Sequence, residues 1–188
     1  MKAVLALALL PTVAHADPRS ITLEATSEAQ HYDAERGLRL EIDLANLSGW
    51  TLGVAGAIGH DTVGVYQNYG GYGDLDVRDL EGLAFVARTA HFTGWSLRGE
   101  LAVGALDTHG QGSRQEDGTW MDVTGGGVTP VIEAAARATV PISHSWAITG
   151  GPIVSYMNQW FTYIPGTHVD GTHREAELLF SLGLTYQL

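Results

Sequence analysis

The hydrophobic pattern of this chain has a period of two, and it is clearest between Arg174 and Leu188. Successive side chains of an extended strand point to opposite faces. Ala176, Leu178, Phe180, Leu182, Leu184, Tyr186 and Leu188 therefore share one face, while Glu175, Glu177, Leu179, Ser181, Gly183, Thr185 and Gln187 share the other. Similar alternation recurs upstream in segments that end at clusters of Gly, Pro, Asn, Asp and Ser, the residues that favour turns. It predicts eight strands, over 21–32, 38–47, 50–60, 80–92, 95–107, 128–141, 146–160 and 174–188. The segments 48–49, 93–94 and 142–145 are short connections, 61–79, 108–127 and 161–173 are long ones, and 33–37 is compact. Short and long connections that alternate along consecutive strands predict an all-β fold, an eight-stranded antiparallel up-and-down barrel.

The two faces differ in chemistry as well as in polarity. Trp50, Leu52, Val54, Gly56 and Ile58 alternate with Thr51, Gly53, Ala55, Ala57 and Gly59, and Trp95, Leu97, Leu101 and Val103 alternate with Ser96, Arg98, Glu100, Ala102 and Gly104. The second face is small or charged. Carried along the chain, the assignment puts Glu24, Glu28, Arg39, Glu41, Asp43, Arg88, Arg98, Glu100, Glu133, Arg137, Glu175 and Glu177 inside. The interior of eight strands is just wide enough for side chains to fill, so the expectation is a lumenal network of ion pairs, with Gly and Ala making room for the long polar groups. A soluble ligand carrier would instead line its cavity with the large apolar residues, and it stands as an alternative.

Three tryptophans fix the expected orientation. Ser48-Gly49-Trp50, Thr93-Gly94-Trp95 and His144-Ser145-Trp146 each place an indole at the first residue of a strand, directly after a short turn. The three rings would stand at one height on one rim, the arrangement of an aromatic girdle at a membrane interface. Trp160, with Phe161 and Tyr163, is the candidate for the opposite rim.

The amino terminus adds a compartment. Lys2 precedes the apolar run Ala3 to Leu10, and Ala14-His15-Ala16 is a small-x-small cleavage site, so residues 1–16 read as a secretory signal peptide and 17–188 as the barrel domain. The apolar run is too short to cross a membrane as a helix. With no cysteine, disulfides and thiolate metal sites are both absent. Ten basic residues against 21 acidic ones give a formal charge of −11, which argues against nucleic acid as a partner. No stretch is long and apolar enough for a membrane helix, whereas a spanning strand needs only about 9–11 residues.

Gly183-x-x-Tyr186-x-Leu188, at the end of the last alternating strand, resembles the closing strand of bacterial outer-membrane β-barrels, and the chain as a whole is similar to the small eight-stranded barrels of the OmpA-transmembrane-domain and OmpX type. The resemblance implies that Gly183, Tyr186 and Leu188 are read by the barrel-assembly machinery during insertion. It also implies residence in the bacterial outer membrane among outer-membrane lipid, as a monomer without a cofactor. One departure is Leu188, where that family usually ends in Phe.

Candidate chemistry is sparse. Ser143-His144-Ser145 is the nearest approach to a nucleophile beside a base, but it falls in a turn at the end opposite the outer leaflet. A lipid-modifying enzyme of the deacylase or acyltransferase type is thus the alternative, and no enzyme the primary expectation. His31, His60, His109, His168 and His173 gather toward the external end near Asp33, Asp61, Asp107 and Asp170, without the tight spacing of a metal motif. The external segments interleave Tyr66, Tyr69, Tyr72 and Trp120 with glycines and acids, residues that make efficient contacts from loops. A structural role, or recognition of an extracellular or surface partner, follows as the expected function, with a plugged lumen in place of a pore.

Overall fold

A computed structural model describes residues 19–28, 36–66, 72–116, 119–161 and 171–188. The proposed signal segment and the connection at 33–35 lie outside the described residues, as do Tyr69, His31 and His168. The strands are β1 (Ser20–Glu28), β2 (Arg36–Leu47), β3 (Trp50–Tyr66), β4 (Tyr72–Phe92), β5 (Trp95–Glu116), β6 (Thr119–Pro141), β7 (Trp146–Phe161) and β8 (Gly171–Gln187). Each pairs antiparallel with the next, and β1 pairs with β8, so the sheet closes into a barrel. The seam runs from Ser20↔Gln187 to Glu28↔Leu179.

The short connections are tight turns. Ser48 and Gly49 both have positive φ, 53° and 85°, and the Gly49 N–H donates to Asn46 Oδ1 at 3.3 Å. Such left-handed pairs match the twist of the strands they join. Phe92 pairs directly with Trp95 across Thr93-Gly94.

The described residues of two segments expected to be loops are strand. The ladder of β3 and β4 continues through Asp61↔Val77 and Val63↔Leu75 to Tyr66↔Tyr72, and that of β5 and β6 continues to Glu116↔Thr119. The density of Gly and Asp in 61–79 and 108–127 reads as loop, yet the described residues of both keep an unbroken register. β3 to β6 are accordingly 17, 21, 22 and 23 residues long, well beyond the roughly 9–11 that a membrane crossing requires. The expected contrast of short and long loops is largely a contrast between one end of the barrel, where strands stop at tight turns, and the other, where hairpins project.

Glycine acts at the seam. A Cβ on Gly183, which faces inward opposite Glu24, would collide with the backbone carbonyl oxygen of Leu23. Its absence lets β8 lie close against β1.

Candidate functional site

The barrel interior holds the buried charge of the described residues, and a single irregularity in β2 puts much of it there. Leu47 pairs with Trp50 and Ala45 with Leu52, all on the outer face, whereas Asp43 pairs with Gly53 on the inner one. The register shift between Asp43 and Ala45 inserts Leu44 as an extra residue. A bulge of this kind reverses the facing of everything beyond it. Arg39, Glu41 and Asp43 turn inward as a result.

Three guanidinium groups then organise six carboxylates. Arg39 donates from Nε to Glu41 Oε1 at 2.7 Å, from Nη1 to Glu133 Oε2 at 2.6 Å and from Nη2 to Glu100 Oε1 at 3.4 Å, and Glu81 stands 3.9 Å from Nη1. Arg98 grips Asp43 with both terminal nitrogens, each at 2.9 Å, and reaches Glu100 at 3.2 Å. Arg137 donates from Nε to Glu24 at 3.0 Å, with Glu41 2.8 Å from Nη2 and Glu100 3.2 Å from Nη1. Ser181 Oγ donates to the other Glu24 oxygen at 3.2 Å. Arg39 and Arg137 are each only 2% exposed and Glu24 is fully buried. Forked guanidinium–carboxylate pairs are the strong form of this interaction, and here they tie β1, β2, β5, β6 and β8 together across the lumen.

Arg88 is not part of this network; the expectation that it faces inward is wrong. It pairs with Trp50 on the outer face, and its guanidinium carbon lies 5.5 Å from the centre of that indole ring. The inner face of β4 carries Glu81, Leu83, Phe85 and Ala87 instead, the last three buried. The Phe85 ring lies 4.9 Å from the Arg98 guanidinium. It occupies space left by Gly53, where a Cβ would overlap the ring and the Ile42 carbonyl oxygen. Leu106, Val131, Ile153 and Met157 are also buried inside, so the lumen is filled partly by apolar groups as well as by the charges and small residues the alternation predicts.

Glu177 is half-buried on the inner face of β8 opposite Ser155. The side chains of Glu28 and Glu175 lie outside the described residues.

Space remains on both sides of the network. Toward the tight turns is an open vestibule of about 1110 Å³, roofed by Glu41, Arg98 and Arg137 and ringed by threonines such as Thr22, Thr139, Thr149 and Thr185. The hydroxyls of Thr22 and Thr185 are 2.9 Å apart and those of Thr139 and Thr149 3.1 Å apart. Beyond the network a pocket of only about 50 Å³ touches Arg39, Glu81 and Glu133. The hydroxyl ring escaped the sequence reading, although Thr51 and Thr185, which both line the vestibule, fall on the polar face of alternating strands.

The outer wall is apolar. Trp50, Trp95 and Trp146 stand at the tight-turn rim, each between 41% and 46% exposed, above them run exposed Leu, Ile and Val residues, and Tyr186 packs on Trp146 with ring centres 4.8 Å apart. A soluble carrier built on this alternation would turn those residues inward, and a contiguous apolar surface of this extent marks an interaction surface. Leu188 is exposed at the same rim, where it borders the vestibule. The side chain of Trp160 lies outside the described residues.

At the projecting end, His60 Nε2 lies 2.7 Å from Asp76 Oδ1 and His109 Nε2 lies 3.6 Å from Asp107 Oδ2, all four on the outer face. Among the described residues no group of three or more His, Asp or Glu side chains converges to hold a metal. Tyr66 and Tyr72 are the paired last and first residues of β3 and β4. Trp120 belongs to β6, not to a loop, and is 61% exposed. At the opposite end the Trp146 N–H donates to Ser143 Oγ at 3.1 Å, which makes that serine a turn brace next to the exposed His144.

A closed antiparallel barrel of eight strands, apolar outside and cross-braced by charge inside, is the architecture of small outer-membrane barrels. Solved structures that share it include two outer-membrane examples. Neisserial surface protein A superposes with a TM-score of 0.54 at 7% identity, over 91% of this chain and 96% of that one. A major outer-membrane protein from Thermus thermophilus gives 0.56 at 16% identity, over 90% and 99%. At these identities the likeness is one of fold. No family model and no curated protein matches the chain.

Proposed function

We propose that the protein is an integral outer-membrane β-barrel with a plugged polar lumen, exported by cleavage after Ala16, that serves a structural or surface-recognition role. One observation carries this reading: the wall is apolar at the level where the interior is closed by Arg39, Arg98 and Arg137 and their carboxylates. Such a molecule is solvated by lipid and conducts little. The fold it shares with a protein called a surface protein and with a major outer-membrane protein supports the same reading.

The hairpins of β3–β4 and β5–β6 form the recognition surface in this proposal. They extend beyond the apolar wall and carry Tyr66, Tyr69, Tyr72 and Trp120 with several acidic residues, a composition suited to contact with a basic or cation-bridged partner outside the cell. At the other end, Gly183, Tyr186 and Leu188 form the segment engaged by the assembly machinery, and the barrel functions as a monomer.

The test combines gel mobility with planar-bilayer recording. Detergent-folded protein should migrate differently before and after boiling, and reconstituted protein should show no large steady conductance. A soluble protein without a mobility shift overturns the membrane reading, and sustained conductance overturns the plug. Removing residues 115–120 should weaken attachment of protein-bearing cells to a surface that the intact protein binds.

A further inference from the structure

Arg88 is the one charged side chain, among the described residues, on the outer wall between the tryptophan rim and the band formed by His60, Arg78, Asp107 and His109. It is exposed and no carboxylate of the described residues pairs with it; its contact is the face of Trp50. A cation on a lipid-facing strand costs about 2–4 kcal/mol at the centre of a bilayer and about 0–1 kcal/mol near the interface. Its height therefore decides whether it is a defect or a ligand.

The register gives that height. Arg88 and Arg78 both face outward on β4, 88 − 78 = 10 residues apart, which is roughly 33 Å along a strand rising about 3.3 Å per residue and roughly 25 Å of vertical height at a tilt near 40°. An apolar band of about 25 Å is what a barrel presents to the bilayer. Arg78 and its histidine neighbours thus mark one border, and Arg88 marks the other, level with the girdle. That border is where the phosphates of the leaflet nearer the tight turns begin.

The wall beside Arg88 is recessed. In the same row, Trp50 stands on one side, and Gly99 followed by Ala136 on the other. A Cβ built on Gly99 would meet nothing within 4 Å. The upright indole, the unpaired guanidinium and the low Gly99–Ala136 surface form a corner: a phosphate fits against Arg88 while the glycerol and upper acyl chain lie across the small residues. Trp50 holds the guanidinium in place through its π face, which lowers the entropy lost when it binds.

We propose that Arg88 and Trp50 form a binding site for the phosphate of an anionic phospholipid of the phosphatidylglycerol class, in the leaflet on the tight-turn side. The proposal rests on the outer-membrane reading and adds to it a defined lipid position. A fork of guanidinium donors matches phosphate oxygens, and the net negative headgroup supplies the charge that the wall lacks.

Native mass spectrometry of detergent-folded protein, offered equimolar phosphatidylglycerol and phosphatidylcholine of matched chains, tests it. The intact protein should retain one phosphatidylglycerol in preference to phosphatidylcholine. Arg88→Gln should lower that retention at least fivefold and Trp50→Leu should lower it in the same direction, while Val103→Ala, on the same wall but away from the corner, should leave it unchanged. Equal retention by the intact protein and Arg88→Gln, each with a heat-modifiable band, overturns the site and leaves the membrane reading standing. Equal retention of the two lipids by the intact protein also overturns it. Absence of a heat-modifiable band in the intact protein overturns both readings together.

Discussion

Arg137 reaches across the barrel to Glu24, its Nε donating to a carboxylate oxygen at 3.0 Å and joining β6 to β1 over 113 residues of chain. Both side chains are buried, 2% and 0% exposed. Removing one partner of a buried pair leaves the other charge without compensation, at a cost of about 3–5 kcal/mol. Arg137→Ala leaves Glu24 with only the Ser181 hydroxyl, while Glu41 keeps Arg39 and Glu100 keeps Arg39 and Arg98, so its loss of stability should fall near the lower end of that range. Urea titration of the vesicle-folded protein, followed by the fraction of heat-modifiable band, measures it. Glu24→Gln keeps the shape and an acceptor, and should cost less than Arg137→Ala in the same titration.

The Gly53–Phe85 contact gives a steric prediction. The Phe85 ring sits where a Gly53 side chain would be, next to the Ile42 carbonyl oxygen. Gly53→Val should destabilise the barrel by about 1–3 kcal/mol, the usual range for overpacking. Phe85→Ala added to Gly53→Val relieves only the ring overlap and leaves the carbonyl contact, so the double variant should recover part of the loss relative to the sum of the single changes. Strict additivity of the two changes would show that they are not in contact.

β2 and β4 show what the sequence made legible and what it hid. In both strands charge suggests which face points inward, on the reasoning that a lipid-facing wall excludes it. In β2 this succeeds, because the extra residue Leu44 restores the inward facing of Asp43, Glu41 and Arg39 that counting back from Leu47↔Trp50 would deny. In β4 it fails, since Arg88 and Glu81 have opposite parity and only one of them can face inward. The two-residue turn resolves the conflict: Phe92 pairs with Trp95, so an outward Trp95 forces Phe92, Ala90 and Arg88 outward. Hairpin geometry was therefore the stronger signal in β4, whereas the bulge in β2 had no local sequence signature. The overextended strands were hidden for another reason. Above the apolar wall both faces of a hairpin tolerate polar groups, so the alternation that reveals a half-buried strand fades although the ladder continues.

The tryptophan rim leads to a depth measurement. Trp50, Trp95 and Trp146 lie at one end of the wall, whereas Trp120 lies near the far end of β6. In variants that keep one tryptophan each, phospholipids brominated near the headgroup should quench Trp50, Trp95 and Trp146 more than lipids brominated at the chain terminus, as expected for interfacial indoles. Trp120, beyond the apolar wall, should be quenched weakly by both. Strong chain-terminal quenching of any rim tryptophan would move the bilayer away from the borders marked by Arg88 and Arg78.

The seam is the place where a barrel is most easily left open, because β1 and β8 are farthest apart in the chain and meet only on closure. β1 has nine residues, and its first two pairs across the seam are Ser20↔Gln187 and Ile21↔Tyr186. Tyr186 also pairs with Trp146 and packs on its ring. Deleting 186–188 removes both pairs and that aromatic contact, and it uncovers the backbone of β1 at the rim, where an unpaired strand edge is costly in lipid. Insertion into vesicles should fall sharply, read as the heat-modifiable fraction. Tyr186→Phe keeps the ring, the pairing and the outward facing and should insert like the intact chain, while Gly183→Val, which drives a side chain into the Leu23 carbonyl oxygen, should fail to close even though all seam residues are present. Normal insertion of both the deletion and Gly183→Val would mean that closure does not depend on this part of the seam.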